Sequence, residues 1–378
     1  MKVLLLSVTT GEGHNSTAKA LKKQFAEMGH ECEILDVYLN TSKGLYEIVS
    51  RGYLLAVDSM KVIYSKLYEM FENRRKNPHD KGFSRLLNKL ISGKTYAKIR
   101  EYQPDVIIYT HVFAGIMLDV LKQRGELSTP CMGIVTDFVM HPFWEEVLRS
   151  ERIVIPNEVL VPSAMRKGFK REQILPLGIP IDEKFSLTHD RAEIRLSLGL
   201  DANKRTVLLM GGSMGYGNIA DTIRDLDRSE IDMQIICVCG NNIRAREEID
   251  SIKTVKRVLN LGYVNNVDEL MDASDCIVTK PGGLTTSETL AKRLPMIICN
   301  PIPGQEERNT EFLQNNGTAI AVGGAFSLSD ALTMMFANPK KTENMKECID
   351  FIRKPHSTRD ICRASEELVK LHKENTNG

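Results

Sequence analysis

The stretch 274–288, Ser-Asp-Cys-Ile-Val-Thr-Lys-Pro-Gly-Gly-Leu-Thr-Thr-Ser-Glu, constrains this chain more than any other, together with Pro-Ile-Pro-Gly-Gln-Glu-Glu-Arg-Asn at 301–309. Cys276 to Thr279 reads as a buried strand, Pro281-Gly282-Gly283 as a turn, and the residues after it as a helix start. An apolar run that turns at glycine into a helix is the repeating unit of a parallel sheet. Such a turn aims main-chain N–H groups at an anion. Glu288, Gln305, Glu306, Glu307 and Asn309 add carboxylates and amides suited to hydroxyls. A phosphate-bearing ligand rich in hydroxyls is a nucleotide-sugar.

Strands and helices alternate along most of the chain. Strands are expected at 3–8, 33–37, 106–109, 132–136 and 158–161, with a helix near 15–28. A proline-rich passage, Leu175-Pro176-Leu177-Gly178-Ile179-Pro180, marks the interdomain linker. A second series predicts strands at 206–210, 233–238, 257–261, 276–279, 296–299 and 318–322. Helices are expected near 218–226, 267–273, 287–293 and 308–316, and a last one near 358–373. At 378 residues the chain exceeds one ordinary core. The expected domains are therefore 1–174 and 183–355, joined by a linker at 175–182, with 356–378 as a terminal helix that can pack on either domain. Two α/β halves across a cleft put ligands at the carboxyl ends of both sheets.

Hydrophobic content of 42% and charged content of 26% are those of a soluble globular protein, and a net charge of +1 gives no pull toward nucleic acid. The eight cysteines form no C-x-x-C pair, so they are expected to be reduced core thiols of a cytosolic protein. Cys237 and Cys239 face one side of a strand. The apolar run at 3–8 is too short for a secretory leader, and no run approaches 18 apolar residues, so nothing is expected to span a membrane.

The segment 41–103 breaks the alternation. It shows only helical periodicity, at Leu45, Val49, Tyr53, Ala56, Met60, Ile63, Leu67 and Met70, and carries 13 Lys/Arg against 6 Asp/Glu. A local net of +7, against −6 for the rest of the chain, suits an anionic lipid surface. An ordinary solvated face whose apolar stripe packs on the domain accounts for the pattern equally well.

Two further glycine turns join strands to helices. Thr10-Gly11-Glu12-Gly13-His14 follows the first strand and places an imidazole beside the helix start. Gly11, Gly13 and Ser16 fall at dinucleotide-fingerprint spacing, but Ser16 replaces the third glycine, which argues against NAD. Gly211-Gly212-Ser213-Met214-Gly215 repeats the arrangement, so that with Gly282 and Gly283 two nests of N–H donors face a diphosphate. The absence of G-x-x-x-x-G-K-[ST] argues against P-loop chemistry. Asp137 and His111 sit at strand ends. His141, Phe143 and the single tryptophan, Trp144, follow Asp137, and these rings either bound an apolar acceptor site or pack in the core. Asp225 and Asp227 resemble a metal-binding pair but fall on a helix away from any glycine turn.

In combination these motifs resemble glycosyltransferase family 28, in the branch of plant monogalactosyldiacylglycerol synthases and bacterial processive diacylglycerol glucosyltransferases. The likeness rests on Gly11-Glu12-Gly13-His14, Thr136-Asp137 with His141 and Trp144, Gly211-Gly212-Ser213, Leu261-Gly262-Tyr263-Val264, Thr279-Lys280-Pro281-Gly282-Gly283-Leu284-Thr285 and Pro303-Gly304-Gln305-Glu306. It runs in order to about residue 322. The resemblance implies an α/β GT-B fold, two Rossmann-like domains facing across a cleft, with the terminal helix at 356–378 packing back on the first domain, and inverting transfer with neither metal nor cofactor. It implies that Tyr263 and Val264 flank a uracil and that Glu288 binds the ribose. Gly212, Ser213, Gly282, Gly283, Leu284 and Thr285 would meet the diphosphate, and Gln305, Glu306 and Asn309 the hexose. Gly13, His111, His141 and Trp144 would lie on the acceptor side.

The expected reaction moves a hexose, glucose before galactose, from UDP-hexose to diacylglycerol or a glycosyl-diacylglycerol. The expected location is the cytoplasmic face of an anionic membrane, with no nucleic-acid partner. His14 is the expected base, since its unperturbed pKa lies near working pH, with Asp137 orienting it or itself taking the proton. Transfer of N-acetylglucosamine to another lipid-linked acceptor, UDP-sugar 2-epimerisation and a non-catalytic nucleotide-sugar sensor are the alternatives.

Overall fold

A computed structural model describes residues 1–8, 12–37, 94–211 and 218–377. They divide into two compact units: residues 1–136, 140–180 and 357–378, and residues 137–139 with 181–356. Among the described residues no helix is long and apolar enough to cross a membrane.

The first unit is built on six parallel strands in the order β2-β1-β3-β4-β5-β6. These are β1 (Lys2–Ser7), β2 (Glu31–Asp36), β3 (Val106–Tyr109), β4 (Cys131–Ile134), β5 (Arg152–Val154) and β6 (Ile174–Leu175). Val3 to Leu6 and Val106 to Tyr109 are fully buried, because a parallel sheet covered on both faces needs apolar residues at every position. The helices are α1 (Glu12–Glu27), α2 (Lys94–Tyr102), α3 (Val112–Gln123) and α4 (Val161–Arg166). The terminal helix of the chain, Ser357–Asn377, also belongs here. Its Ile361, Cys362, Leu368 and Val369 share one core with Ala18, Leu21 and Phe25 of α1, and Glu366 Oε1 lies 2.7 Å from His30 Nε2.

The expected strand at 158–161 is helical instead. A 3-10 turn, Glu158–Leu160, leads straight into α4. Asn157 Oδ1 accepts from the Val159 N–H at 3.1 Å, and Pro162, which lacks an N–H, fits the first helical turn. The sheet is continued by β5 and β6, whose three and two residues are too short to show a period.

The second unit repeats the architecture in the order β12-β11-β10-β7-β8-β9, again all parallel. Its strands are β7 (Thr206–Met210), β8 (Gln234–Val238), β9 (Val258–Leu261), β10 (Cys276–Thr279), β11 (Met296–Ile298) and β12 (Ala319–Ala321). Its helices are α5 (Arg191–Ser197), α6 (Ile219–Arg228), α7 (Ile243–Ser251), α8 (Val267–Asp272), α9 (Gly283–Ala291), α10 (Gln305–Asn315), α11 (Leu328–Phe336) and α12 (Pro339–Ile352). The terminal helix, Ser357–Asn377, is α13. One core joins Val207, Leu209, Ile235, Cys237, Cys276 and Val278 of the sheet to Ile223, Leu226, Leu332 and Met345. All eight cysteines are free thiols, and the sulfurs of Cys237 and Cys239 sit 3.8 Å apart on one face.

Strand order fixes where ligands go. In the first sheet the chain leaves β1 for β2 on one side and returns as β3 on the other. In the second it leaves β7 for β8 and β9, then returns as β10. Open α/β sheets bind ligands outside the carboxyl ends of the strands that flank such a reversal. The loops concerned are those after β1 and β3, and those after β7 and β10.

Candidate functional site

At the second sheet's reversal, the Thr279 hydroxyl donates to the Met210 carbonyl at 3.0 Å and ties the ends of β10 and β7 together. Gly282 caps α9 without a side chain, and the first backbone bond closes from Thr286 N to Gly282 O at 2.9 Å. The N–H groups of Gly283, Leu284 and Thr285 have no carbonyl earlier in the helix, so they form the anion-seeking end. Gly212 and Ser213, the predicted second nest, lie outside the described residues.

α9 begins four residues before its expected start, so Glu288 lies in its second turn rather than its first. Its carboxyl therefore lies on the flank of the helix rather than at the dipole end. Burial pushes its carboxyl up to about 8; Lys184 opposes the shift, and Asp182 and Asp268 add to it. Glu288 is thus largely protonated at neutral pH, and it can donate to one hydroxyl of a diol while accepting from the other. Tyr263, just past β9, is 64% exposed, an aromatic face open to a planar base, and Val264 beside it is half-buried.

α10 also starts earlier than expected, at Gln305, behind Gly304 with φ of 103°, a conformation that favours glycine. Glu307 accepts from the Gly304 N–H at 2.9 Å. Glu306 accepts from the Ile302 N–H at 2.8 Å with one oxygen and pairs with Lys280 Nζ at 3.1 Å with the other. Gln305 Nε2 donates to the Val139 carbonyl at 2.8 Å, while its Oε1 is buried with no partner among the described residues.

Asn309 is fully buried. Its Oδ1 accepts from the Phe138 N–H at 2.9 Å, and its Nδ2 donates to Asp137 Oδ1 at 3.1 Å and to the Pro281 carbonyl at 3.0 Å. One amide thereby joins the loop 137–139 to the glycine turn. Burial pushes the Asp137 carboxyl up to about 6; the Asn309 bond opposes this and the charge of Glu306 adds to it.

At the first sheet's reversal, Ser7 Oγ donates to Asn15 Oδ1 at 2.9 Å and fixes the end of β1 to α1. His14 stands in the first turn of α1, edge-on to His111 with ring centroids 5.1 Å apart. Burial pushes its imidazole down to about 4, opposed by a hydrogen bond to the Thr110 backbone. Its Nδ1 is buried with no partner among the described residues. Among the described residues no atom lies within 4 Å of a Cβ placed on Gly13.

His111 caps α3 by accepting from the Phe113 N–H at Nδ1, 3.3 Å. His141 caps the 3-10 helix Pro142–Glu146 in the same way, from Phe143 N–H at 3.2 Å. Accepting at Nδ1 fixes each neutral ring as its Nε2–H tautomer. His111 is held well below the ordinary histidine range by burial and then by the neighbouring imidazoles of His14 and His141. Phe113 and Phe143 link the three histidines into one strip of rings.

Trp144 does not reach that surface. It is 5% exposed and stacks on Tyr109, whose ring fills a slot made by Gly115 and Gly133 and whose hydroxyl meets Ser150 Oγ at 2.8 Å. Asp227, on α6, accepts from the N–H groups of Val255 and Lys256, a loop anchor rather than a metal ligand.

A cavity of about 880 Å³ opens at the opposite, amino-terminal edge of the second sheet, lined by Arg191, Arg205, Lys292, Arg293 and Arg353. Its cations are engaged locally. Arg191 donates to the Asp272 carbonyl, Arg205 to that of Phe336 and Arg353 to that of Ala291, all at helix carboxyl ends.

Solved structures share this pair of sheets. A MurG of Acinetobacter baumannii matches with a TM-score of 0.65 at 12% identity, over 97% of this chain and 99% of that one. Anabaena Alr3699/HepE, solved in complex with UDP, matches with a TM-score of 0.57 at 13% identity, over 97% and 100%. The fold is therefore that of the GT-B glycosyltransferases, as the motifs led one to expect. The family model for monogalactosyldiacylglycerol (MGDG) synthase matches residues 14–181, and that for the glycosyltransferase family 28 C-terminal domain matches 206–360. The processive diacylglycerol beta-glucosyltransferase of Bacillus subtilis is 27% identical over 386 residues, 98% of this chain and 97% of that protein. That of Bacillus cereus is 29% identical over 369 residues, 96% and 92%. The chain belongs to glycosyltransferase family 28, in the branch of the monogalactosyldiacylglycerol synthases and processive diacylglycerol glucosyltransferases.

Proposed function

We propose that this enzyme transfers glucose from UDP-glucose to diacylglycerol or a glycosyl-diacylglycerol, with inversion and without a metal, at the cytoplasmic face of a membrane. The observation that carries the donor half is the glycine-capped end of α9 at the sheet reversal, with Glu288 in its second turn and Tyr263 exposed at the end of β9. The acceptor half is supported by relatives of near-equal length that are diacylglycerol glucosyltransferases. UDP-sugar epimerases share the fold at about 14% identity, a likeness of architecture alone.

The acceptor hydroxyl oxygen attacks the anomeric carbon from the face opposite the diphosphate. As that bond forms, the bond from the anomeric carbon to the β-phosphate oxygen breaks, and its electron pair leaves with UDP. The hydroxyl proton passes to His14 Nδ1, and ionised Asp137 is the second group on which transfer depends. Backbone N–H groups at the start of α9 stabilise the departing diphosphate. Asn309 acts as a positioning residue, since its amide is spent on the loop that carries Asp137. The basic segment 41–103, of which all but 94–103 lies outside the described residues, is the part assigned to anionic lipid. Purified protein incubated with diacylglycerol vesicles and radiolabelled UDP-glucose, UDP-galactose or UDP-N-acetylglucosamine is expected to yield a labelled glycolipid with UDP-glucose. Label released as free sugar, or incorporated only from UDP-N-acetylglucosamine, refutes the assignment.

A further inference from the structure

Lys280 stands between β10 and the glycine cap, and its ammonium pairs with Glu306 Oε1 at 3.1 Å in a partly buried setting, 21% and 14% exposed. The same carboxylate oxygen lies 3.7 Å from where a Cβ on Gly282 would sit. An ion pair therefore flanks the turn whose N–H groups seek an anion. Glu306 cannot swing away freely, because its other oxygen accepts from the Ile302 N–H at 2.8 Å. A fixed carboxylate beside a diphosphate site repels the ligand unless a cation stands between them. Neutral N–H donors alone leave the extra charge of the departing diphosphate without a counter-cation.

We propose, resting on the donor site assigned above, that Lys280 is a catalytic residue whose ammonium contacts the diphosphate, and that Glu306 positions it. In the empty enzyme Glu306 Oε1, which lies 3.7 Å from a Cβ position on Gly282, holds the ammonium at 3.1 Å. When the donor binds, the ammonium spans Glu306 and a diphosphate oxygen. As the bond from the anomeric carbon to oxygen breaks, the electron pair stays on the diphosphate beside that cation. Glu306, expected from the sequence to grip the hexose, becomes the anchor of a phosphate-binding lysine instead.

The test compares Lys280→Met in two backgrounds, wild type and Glu306→Gln. Removing Lys280 alone exposes an unopposed carboxylate, so a loss there has two explanations. With Glu306→Gln already present, the carboxylate charge is gone and only direct contact with the diphosphate is left to lose. Calorimetry is expected to show UDP bound roughly tenfold to a hundredfold more weakly by the double variant than by Glu306→Gln, with uridine binding unchanged between them. Turnover of the double variant should fall by about 10²-fold relative to Glu306→Gln, and Lys280→Arg should retain most of it. Equal UDP affinity and turnover in Glu306→Gln and the double variant overturn the proposal, because Lys280 then acts only by neutralising Glu306. If the wild-type protein binds no UDP, the donor site itself fails, a result distinct from the first. Thermal unfolding of each variant confirms that it is folded.

Discussion

The position of the acid limb in the pH–rate profile decides whether Asp137 must be ionised for transfer. Burial leaves the two candidate proton-handling groups well apart in the empty enzyme, His14 at about 4 and Asp137 at about 6. A base works deprotonated, so activity falls as pH drops through the pKa of whichever group is required. At pH 5 roughly nine-tenths of His14 is free base, whereas only about one-tenth of Asp137 is ionised. With both required, kcat/KM at subsaturating UDP-glucose should fall about tenfold between pH 7.5 and 5, with an apparent midpoint near 6. Because kcat/KM reports the free enzyme, the empty structure is the right reference. Asp137→Asn should lower the plateau by 10²-fold or more and remove the limb near 6, leaving one nearer 4. His14→Ala should abolish transfer at every pH. A wild-type midpoint near 4 that Asp137→Asn leaves in place refutes the requirement for an Asp137 carboxylate and leaves His14 acting without it.

Other expectations follow from packing and protonation. Asn309→Ala removes three internal hydrogen bonds from a fully buried amide. At about 1 kcal/mol net each, it should cost about 2–4 kcal/mol and lower the unfolding midpoint of its unit by roughly 10 °C in calorimetry, and a drop below about 2 °C contradicts the bonding described. Gly115→Ala brings a Cβ to 2.4 Å from the Tyr109 ring, which Gly133, Trp144 and Ser150 prevent from withdrawing. It should destabilise by about 1–3 kcal/mol in chemical denaturation, with partial recovery when Tyr109→Leu is added; an unchanged midpoint shows the slot to be loose. Glu288 is largely protonated near neutrality. Glu288→Gln should therefore bind UDP within about threefold of wild type while Glu288→Leu loses roughly tenfold by calorimetry, and equal losses in both show that an ionised carboxylate is needed.

The second sheet was legible because each of its strands is an apolar run punctuated by glycine, proline or a polar turn, and because the strand order of such units follows simple rules. Boundaries were less so where function intrudes. α9 opens on Gly-Leu-Thr-Thr, three of whose four residues have weak helix propensity, so the pattern pointed to Ser287 while the backbone turns at Gly283. That early start leaves the N–H groups of residues 283–285 without helical partners, and it also moves Glu288 from the dipole end to the flank of the helix. The strand expected at 158–161 failed because a local cap and a proline decided the segment before its apolar residues could. β5 and β6, the two short strands at one side of the sheet, take their conformation from pairing alone.

Chemistry at the site was visible as residue types, while its division of labour was not. Asn309 and Glu306 read as sugar ligands because both are polar and both follow a glycine at a sheet end. Their roles depend on Asp137 and Phe138, more than 160 residues away in sequence, and on Lys280, which the motif shows only as a turn residue. A lone tryptophan beside a histidine reads equally as an acceptor wall or as core, and the choice turns on two glycines that make room for Tyr109 beneath it. Residues that cap, brace or neutralise others carry the same letters as residues that touch substrate. Only the partner at the far end of each hydrogen bond tells them apart, and the fold alone supplies that partner. The comparison of Lys280→Met with and without Glu306→Gln therefore probes more than one lysine: it asks whether a carboxylate at a sugar site grips the sugar or holds the cation that releases it.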